Sequence, residues 1–140
     1  MTRKSSPRQP SRETQTSVDI VASDEVVRKK VIDLLSLTNI KTTIHTDGSS
    51  LLEKKRRLKS DCLIIETRLD DMPGIVLFKK LLVICKKIPP TIFIGATSGS
   101  ISEAVESIKL GAIDYIEKPF SSRRLIDALN LALDPRTANP

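Results

Sequence analysis

A three-layer α/β sandwich, doubly wound around a parallel sheet, is the fold class this sequence predicts. Three observations carry the prediction. Strand-like runs of five or six residues alternate five times with segments of helical periodicity between residues 18 and 133. The runs at 62–66 and 91–96 are apolar at consecutive positions, as strands covered on both faces require. Strictly alternating strand and helix, joined by short connections and right-handed crossovers, puts helices on both sides of one sheet.

The elements follow in order. VDIVA (18–22) is a short apolar strand. DEVVRKKVIDLLSLT (24–38) carries Val27, Val31, Leu34 and Leu35 at helical spacing. IKTTIH (40–45) is a strand rich in Ile and Thr. SSLLEKKRRLK (49–59) is a short basic helix with Ser49 or Ser50 as its N-cap. CLIIE (62–66) is the third strand. GIVLFKKLLVICKK (74–87) is a helix with Leu77, Leu81 and Ile84 on one face, stopped by Pro89 and Pro90. TIFIGA (91–96) is the fourth strand, and ISEAVESIKL (101–110) the fourth helix, with Gly111 where a C-terminal cap favours glycine. AIDYIE (112–117) and SRRLIDALNLAL (122–133) are the last strand and helix.

The 140 residues suit one domain, residues 18–133, between a basic arm (1–17) and a short tail (134–140). The arm MTRKSSPRQPSRETQTS lacks the apolar segment of a secretory signal, and Pro7 and Pro10 interrupt the amphipathic helix of a transit peptide. It reads as a disordered arm. No stretch approaches the ~18 apolar residues of a membrane span. Of the net charge of +6, the arm supplies half: Arg3, Lys4, Arg8 and Arg12 against Glu13. That bias attracts anions weakly and falls short of a dedicated nucleic-acid surface. Cys62 and Cys85, far apart and without metal-ligand spacing, read as buried free thiols of a cytoplasmic protein.

In an open parallel sheet, function gathers at the carboxyl ends of the strands. Those ends carry Ala22-Ser23-Asp24, Glu66, Ala96-Thr97 and Lys118-Pro119. A carboxylate closing an otherwise apolar strand is costly without a partner, so Glu66 stands out. Asp70 and Asp71 read as solvated loop acids or a cap for the next helix. Asp24 reads as a first-turn or N-cap acid, with a weaker reading as a metal ligand. His45, the one histidine, has no second ligand in sight and reads as surface or edge packing. The basic stretch 53–59 and the pairs Lys79-Lys80 and Lys86-Lys87 read as solvated helix faces. They lack the interleaved aromatics of a single-strand nucleic-acid platform. GATSGS (95–100) lacks the lysine and spacing of a phosphate-binding loop.

ESIKLGAIDYIEKPF (106–120), the Ser-capped helix after it and Met72-Pro73-Gly74 after the third strand resemble a response-regulator receiver domain (CheY-like). The wording AVESIKLGAIDYIEKPF (104–120) is similar to receivers of nitrogen-fixation-type transcriptional regulators, which precede a DNA-binding output domain. The resemblance covers residues 18–133. It implies a flavodoxin-like (βα)5 fold with strand order 2-1-3-4-5, and phosphotransfer from a histidine kinase to an aspartate ending strand three. An acidic pair ending strand one would hold Mg²⁺ with that aspartate. A hydroxyl ending strand four and a lysine ending strand five would bind the phosphoryl oxygens.

The matching positions depart from that set. The family's glycine eight residues past the acceptor matches Gly74, which puts Glu66 at the phosphoacceptor position. Leu69 and Asp70 take the usual Met and Pro positions. Ala22 and Ser23 occupy the acidic pair, and Asp24 falls one step late. Ala96 occupies the hydroxyl position, with Thr97 beside it. Lys118 is retained, as is Pro119, whose preceding peptide bond is usually cis in the family. Tyr115 matches the switch aromatic. Mg²⁺, which prefers several hard oxygens, is expected to be lost.

The expected function is that of an atypical receiver that signals by protein contact independently of phosphorylation, with no catalytic residues. Its partner, or a second copy, would dock on the helix 4–strand 5–helix 5 face, about residues 101–133. Glu66 facing Lys118 reads equally as a stand-in for the phosphorylated aspartate or as a structural ion pair. Two alternatives remain open. One is an active phosphoacceptor in a phosphorelay. The other is an anion- or DNA-binding accessory acting through the basic arm and helix two.

Overall fold

The computed structural model describes residues 15–53, 58–96 and 101–138. Five strands form one parallel sheet in the order β2-β1-β3-β4-β5: β1 Ser17–Val21, β2 Lys41–His45, β3 Cys62–Glu66, β4 Thr91–Gly95 and β5 Asp114–Glu117. The pairing is in parallel register, for example Val18 with Thr42 and Cys62, and Glu66 with Ile94. The helices between them are α1 Glu25–Leu35, α2 Gly48–Leu52, α3 Gly74–Ile84, α4 Ile101–Lys109 and α5 Ser122–Leu133. The doubly wound architecture and the strand order are those the sequence predicts.

Successive strand residues feed opposite faces, as the two-residue period of a strand demands. Ile20, Cys62, Ile64, Ile92 and Ile94 point into a core shared with Val27 and Val31 of α1 and Leu125 and Leu129 of α5. Val21, Leu63, Ile65 and Phe93 point the other way, against Leu51 of α2 and Leu77, Phe78 and Leu81 of α3. Both faces of the central strands are therefore buried, which explains their unbroken apolar runs. The Phe78 and Phe93 rings meet edge to face, 5.4 Å between centroids.

The differences from the expected elements have local causes. Helix α1 starts one residue later, because Asp24 is its N-cap and accepts the Val26 N–H at 2.9 Å. Helix α2 is capped by Asp47, not by Ser49 or Ser50: the Asp47 carboxylate accepts the Ser50 N–H at 2.8 Å. The α2 helix ends at Leu52, and Leu58 to Ser60 are not helical. Residues 54–57 of the expected basic helix, and the arm up to residue 14, lie outside the described residues. Helix α3 stops at Ile84, and Ile84 is exposed, not on the buried face with Leu77 and Leu81. Where a tail is expected from residue 134, the chain adds α6, Pro135–Ala138. Asp134 starts it by accepting the Arg136 N–H at 2.9 Å.

Gly111 adopts φ 115°, the left-handed conformation that closes α4 without a Cβ penalty. Gly74 is required for a different reason. A Cβ there would lie 2.4 Å from the Glu66 carbonyl oxygen, so only glycine lets α3 start this close to the end of β3. The eight-residue spacing that locates Glu66 is thus a packing constraint.

Candidate functional site

The carboxyl ends of β1, β3 and β5 bring Ser23, Asp24, Glu66 and Lys118 together. Glu66 is 2% exposed. Its Oε1 accepts two backbone N–H groups, from Ser23 at 3.0 Å and Asp24 at 3.1 Å. Its Oε2 accepts the Lys118 ammonium at 2.8 Å. The same ammonium reaches Asp24 Oδ2 at 3.3 Å. Lys118 leaves β5 with its own N–H donated to the Gly95 carbonyl at 2.9 Å. The Lys118–Pro119 peptide bond that follows is cis.

Electrostatics follow from these contacts. Burial pulls the Lys118 pKa down, but hydrogen bonds and attraction to Glu66 and then Asp24 outweigh it and hold the ammonium above its ordinary value. Burial pushes Asp24 up, and its bonds to the Val26 N–H and Lys118 more than offset that, leaving it below the usual carboxylate range.

The Glu66 carboxylate thus turns into the β1–α1 loop and fills a site lined by two N–H donors and one ammonium. Such a lining suits an anion. The neighbouring groups are engaged in contacts of their own. Ala22 offers only a methyl group, and its carbonyl accepts Arg28 Nη1 at 2.8 Å. Ser23 donates its hydroxyl to the Thr46 carbonyl at 2.6 Å and accepts the Asp70 N–H at 2.8 Å. One Asp24 oxygen caps α1 and the other faces Lys118. Among the described residues no group of three or more His, Cys, Asp or Glu side chains is arranged to hold a metal.

Ala96, half-buried just past β4, presents no hydroxyl; Thr97 lies outside the described residues. Asp70 is exposed. Asp71 is a cap, but of α2 and not of the helix that follows it. Its carboxylate accepts the N–H groups of Gly48 and Ser49, both at 2.9 Å, and the Ser49 hydroxyl at 2.8 Å. The bonds from Gly48 and Ser49 hold the Asp71 pKa below the usual range and outweigh its slight desolvation. His45 is packed at the edge of the sheet, at the end of β2, and not on the surface. It is 5% exposed, with Nε2 3.2 Å from Asp19 Oδ1 and Nδ1 3.2 Å from Ser50 Oγ. Asp19 is itself buried on β1.

Tyr115 is half-buried and lies across the end of β4. Its hydroxyl donates to Glu103 Oε1 of α4 at 2.8 Å, with the Thr67 side chain beside it. A Cβ on Gly95 would come within 1.9 Å of that hydroxyl, so Gly95 makes the room that the ring occupies. Burial, the Glu103 bond and the charges of Glu103 and Glu117 push the phenol well above its ordinary pKa. Neither Gly95 nor Glu103 was singled out from the sequence. The legible signal was a glycine ending an apolar strand, which marks a close approach. On the same face, Arg124 of α5 grips Asp114 with a two-pronged pair at 2.7 and 2.8 Å.

Comparison with known proteins places the fold. The family model of the response regulator receiver domain matches residues 18–130. The transcriptional regulatory protein FixJ of Rhizobium meliloti is 31% identical over 119 residues, which is 85% of this chain and 57% of that protein. The response regulator protein TmoT of Ectopseudomonas mendocina is 31% identical over 126 residues, 90% of this chain and 56% of that protein. The chain thus spans somewhat over half the length of these relatives. Full-length FixJ from B. japonicum superposes with a TM-score of 0.79 at 28% identity, covering 91% of this chain and 61% of that one. The signal receiver domain of a LuxO repressor protein from Vibrio parahaemolyticus shares the fold, with a TM-score of 0.76 at 23% identity. With its sheet order and the match across residues 18–130, this chain belongs to the family of response regulator receiver domains.

Proposed function

We propose that this receiver works without phosphorylation, as a protein-docking module in a two-component-type pathway. One observation carries the reading: both oxygens of the carboxylate at position 66 are already engaged. Glu66 accepts from Ser23, Asp24 and Lys118, so the lysine that would bind a phosphoryl group is held by the side chain itself. The groups around Glu66 offer no second carboxylate free to share Mg²⁺, and phosphoryl transfer without the metal is slow. The mimic is electrostatically partial, since a carboxylate carries one charge where a phosphoryl group carries about −1.5 to −2.

The docking surface in this reading is α4–β5–α5. Helix α4 turns its apolar residues outward: Ile101, Val105 and Ile108, at helical spacing, are all exposed, and Ser107 is its one buried residue. A stripe of that kind suits a second copy or a partner protein. Tyr115, bonded to Glu103 of α4, fixes how α4 sits against β5 and so couples this surface to the Glu66 end of the sheet.

Intact mass after incubation with acetyl phosphate and Mg²⁺ tests the proposal, with Glu66→Asp alongside. Neither protein is expected to gain a phosphoryl group. A gain by Glu66→Asp alone would make Glu66 the single lock on an otherwise competent pocket. A gain by the unaltered protein would overturn the reading in favour of an active phosphoacceptor.

A further inference from the structure

A groove of about 700 Å³ opens at the amino ends of the strands, at the opposite end of the sheet from Glu66. It lies between the segment before β3, the C-terminal half of α3 with its connection to β4, and the α4–β5 turn. Phe78, Leu82 and Ile88 contribute to its apolar lining, and Lys59, Lys86 and Lys87 stand at it. The end of α3 carries the apolar surface on: Leu82, Val83 and Ile84 are 43%, 84% and 44% exposed. Three consecutive exposed apolar residues beside a lysine pair are unusual for a surface that meets only water.

The charges are one-sided. Lys59, Lys86 and Lys87 are exposed, and among the described residues none of them is in an ion pair. Among the described residues, the one acid lining the groove is Asp61, and its Oδ2 already accepts the Ser17 N–H at 2.9 Å. Apolar lining and cationic rim together define what fits.

We propose that this groove docks an acidic, apolar-anchored peptide segment of a partner protein. The anchors would fill the cleft while its carboxylates meet the three lysines. The competing occupants match less well. Two copies placed groove to groove would set lysines against lysines. The chain's own first 14 residues carry Arg3, Lys4, Arg8 and Arg12 against Glu13, the same sign as the rim. A small inorganic anion would find three ammonium groups on flexible stems and no fixed fork of donors. The volume is in the range of sites that enclose a few side chains.

The test is an amide NMR titration of the full chain with the peptide acetyl-Asp-Glu-Leu-Asp-Phe-Leu-Glu-Asp. Two control peptides accompany it, one with lysine for every acid and one with alanine for leucine and phenylalanine. Shifts are expected at residues 58–61, 78–90 and 110–113, with neither control binding. Affinity should fall roughly tenfold or more in Lys86→Glu/Lys87→Glu and in Leu82→Asp, and weaken with salt. These positions are exposed, so the variants should keep the dispersed spectrum of the folded domain. Equal binding of the alanine peptide would overturn the proposal in favour of a non-specific basic surface. Shifts confined to α4, β5 and α5, or affinity unchanged in the lysine variant, would overturn it too. So would self-association abolished by Lys86→Glu/Lys87→Glu, which would make the occupant a second copy.

Discussion

Replacing Lys118 by methionine asks what the ammonium does for Glu66. The substitution removes the 2.8 Å bond to a carboxylate that is 2% exposed, so water cannot take the lost place. A hydrogen bond to a charged group is worth about 1.5–3 kcal/mol. The second contact, to Asp24 at 3.3 Å, involves a side chain that is 41% exposed, and adds less than about 1 kcal/mol. Glu66 keeps its two loop N–H donors, which holds the total below the roughly 3–5 kcal/mol of an uncompensated buried charge. Lys118→Met should therefore cost about 2–3 kcal/mol near neutral pH. Glu66→Gln should cost about 1–2 kcal/mol, because its amide keeps one acceptor for the loop but turns a donor towards the ammonium. Together the two should cost less than their sum by about 1–2 kcal/mol. Urea unfolding followed by far-UV circular dichroism measures all three. The pH dependence has a definite sign: the folded-state pKa of Lys118 is raised, so its contribution is complete below the ordinary value of 10.5 and is lost as pH climbs through the raised value. The gap between wild type and Lys118→Met should close only above that pH. A cost within about 0.5 kcal/mol, or strict additivity, would refute the account of Glu66 as a charge that depends on Lys118.

Three further predictions rest on single contacts. Gly95→Ala puts a Cβ into the Tyr115 hydroxyl and should expel the ring. Tyr115 is the chain's one tyrosine and there is no tryptophan, so absorbance titration reads it alone: wild type should ionise well above pH 10, and the variant nearer to it. Asp71→Ala removes three bonds to the start of α2 and should cost about 1–2 kcal/mol, with amide exchange at Gly48 and Ser49 accelerating most. The Cys62 thiol is pushed up to about 12 by burial, so iodoacetamide at mildly alkaline pH should modify it only as fast as the domain unfolds.

What the sequence disclosed and what it hid follow from the range of the interactions. The sheet was legible because burial on both faces leaves runs such as Cys62–Ile65 with no polar interruption. The position of Glu66 was legible because Gly74 marks a backbone contact of fixed spacing. Its pairing with Lys118 was legible too and is present at 2.8 Å, but its bonds to the β1–α1 loop were not, since those donors lie 42 and 43 residues away. The edge packing of His45 was legible, but not its partner for the same reason: Asp19 comes from a neighbouring strand 26 residues distant. Asp71 was read as a possible cap, but sequence favours the nearest helix, and the helix it caps lies 22 residues earlier. Ser23 looked like a lost metal ligand, whereas its hydroxyl ties Thr46 and Asp70 together above the sheet.

Ala22, Ser23 and Glu66 are better understood together than one by one. A carboxylate that reaches into the β1–α1 loop is incompatible with acids at positions 22 and 23, because like charges at that distance would repel. With Ala22 and Ser23 in place, the loop N–H groups and Lys118 present a positive lining, and the longer glutamate reaches it. The residues suit one another: two carboxylates on the loop would repel Glu66, and a small residue at 66 would remove the carboxylate that Lys118 meets at 2.8 Å. It follows that aspartate at position 66 alone withdraws a carboxylate from two N–H donors without supplying a second acid, and does not rebuild a cation site. A cation site there would need carboxylates at 22 and 23 as well. Replacing Ser23 would also cut its links to Thr46 and Asp70, and so would disturb the loop after β3 along with the pocket.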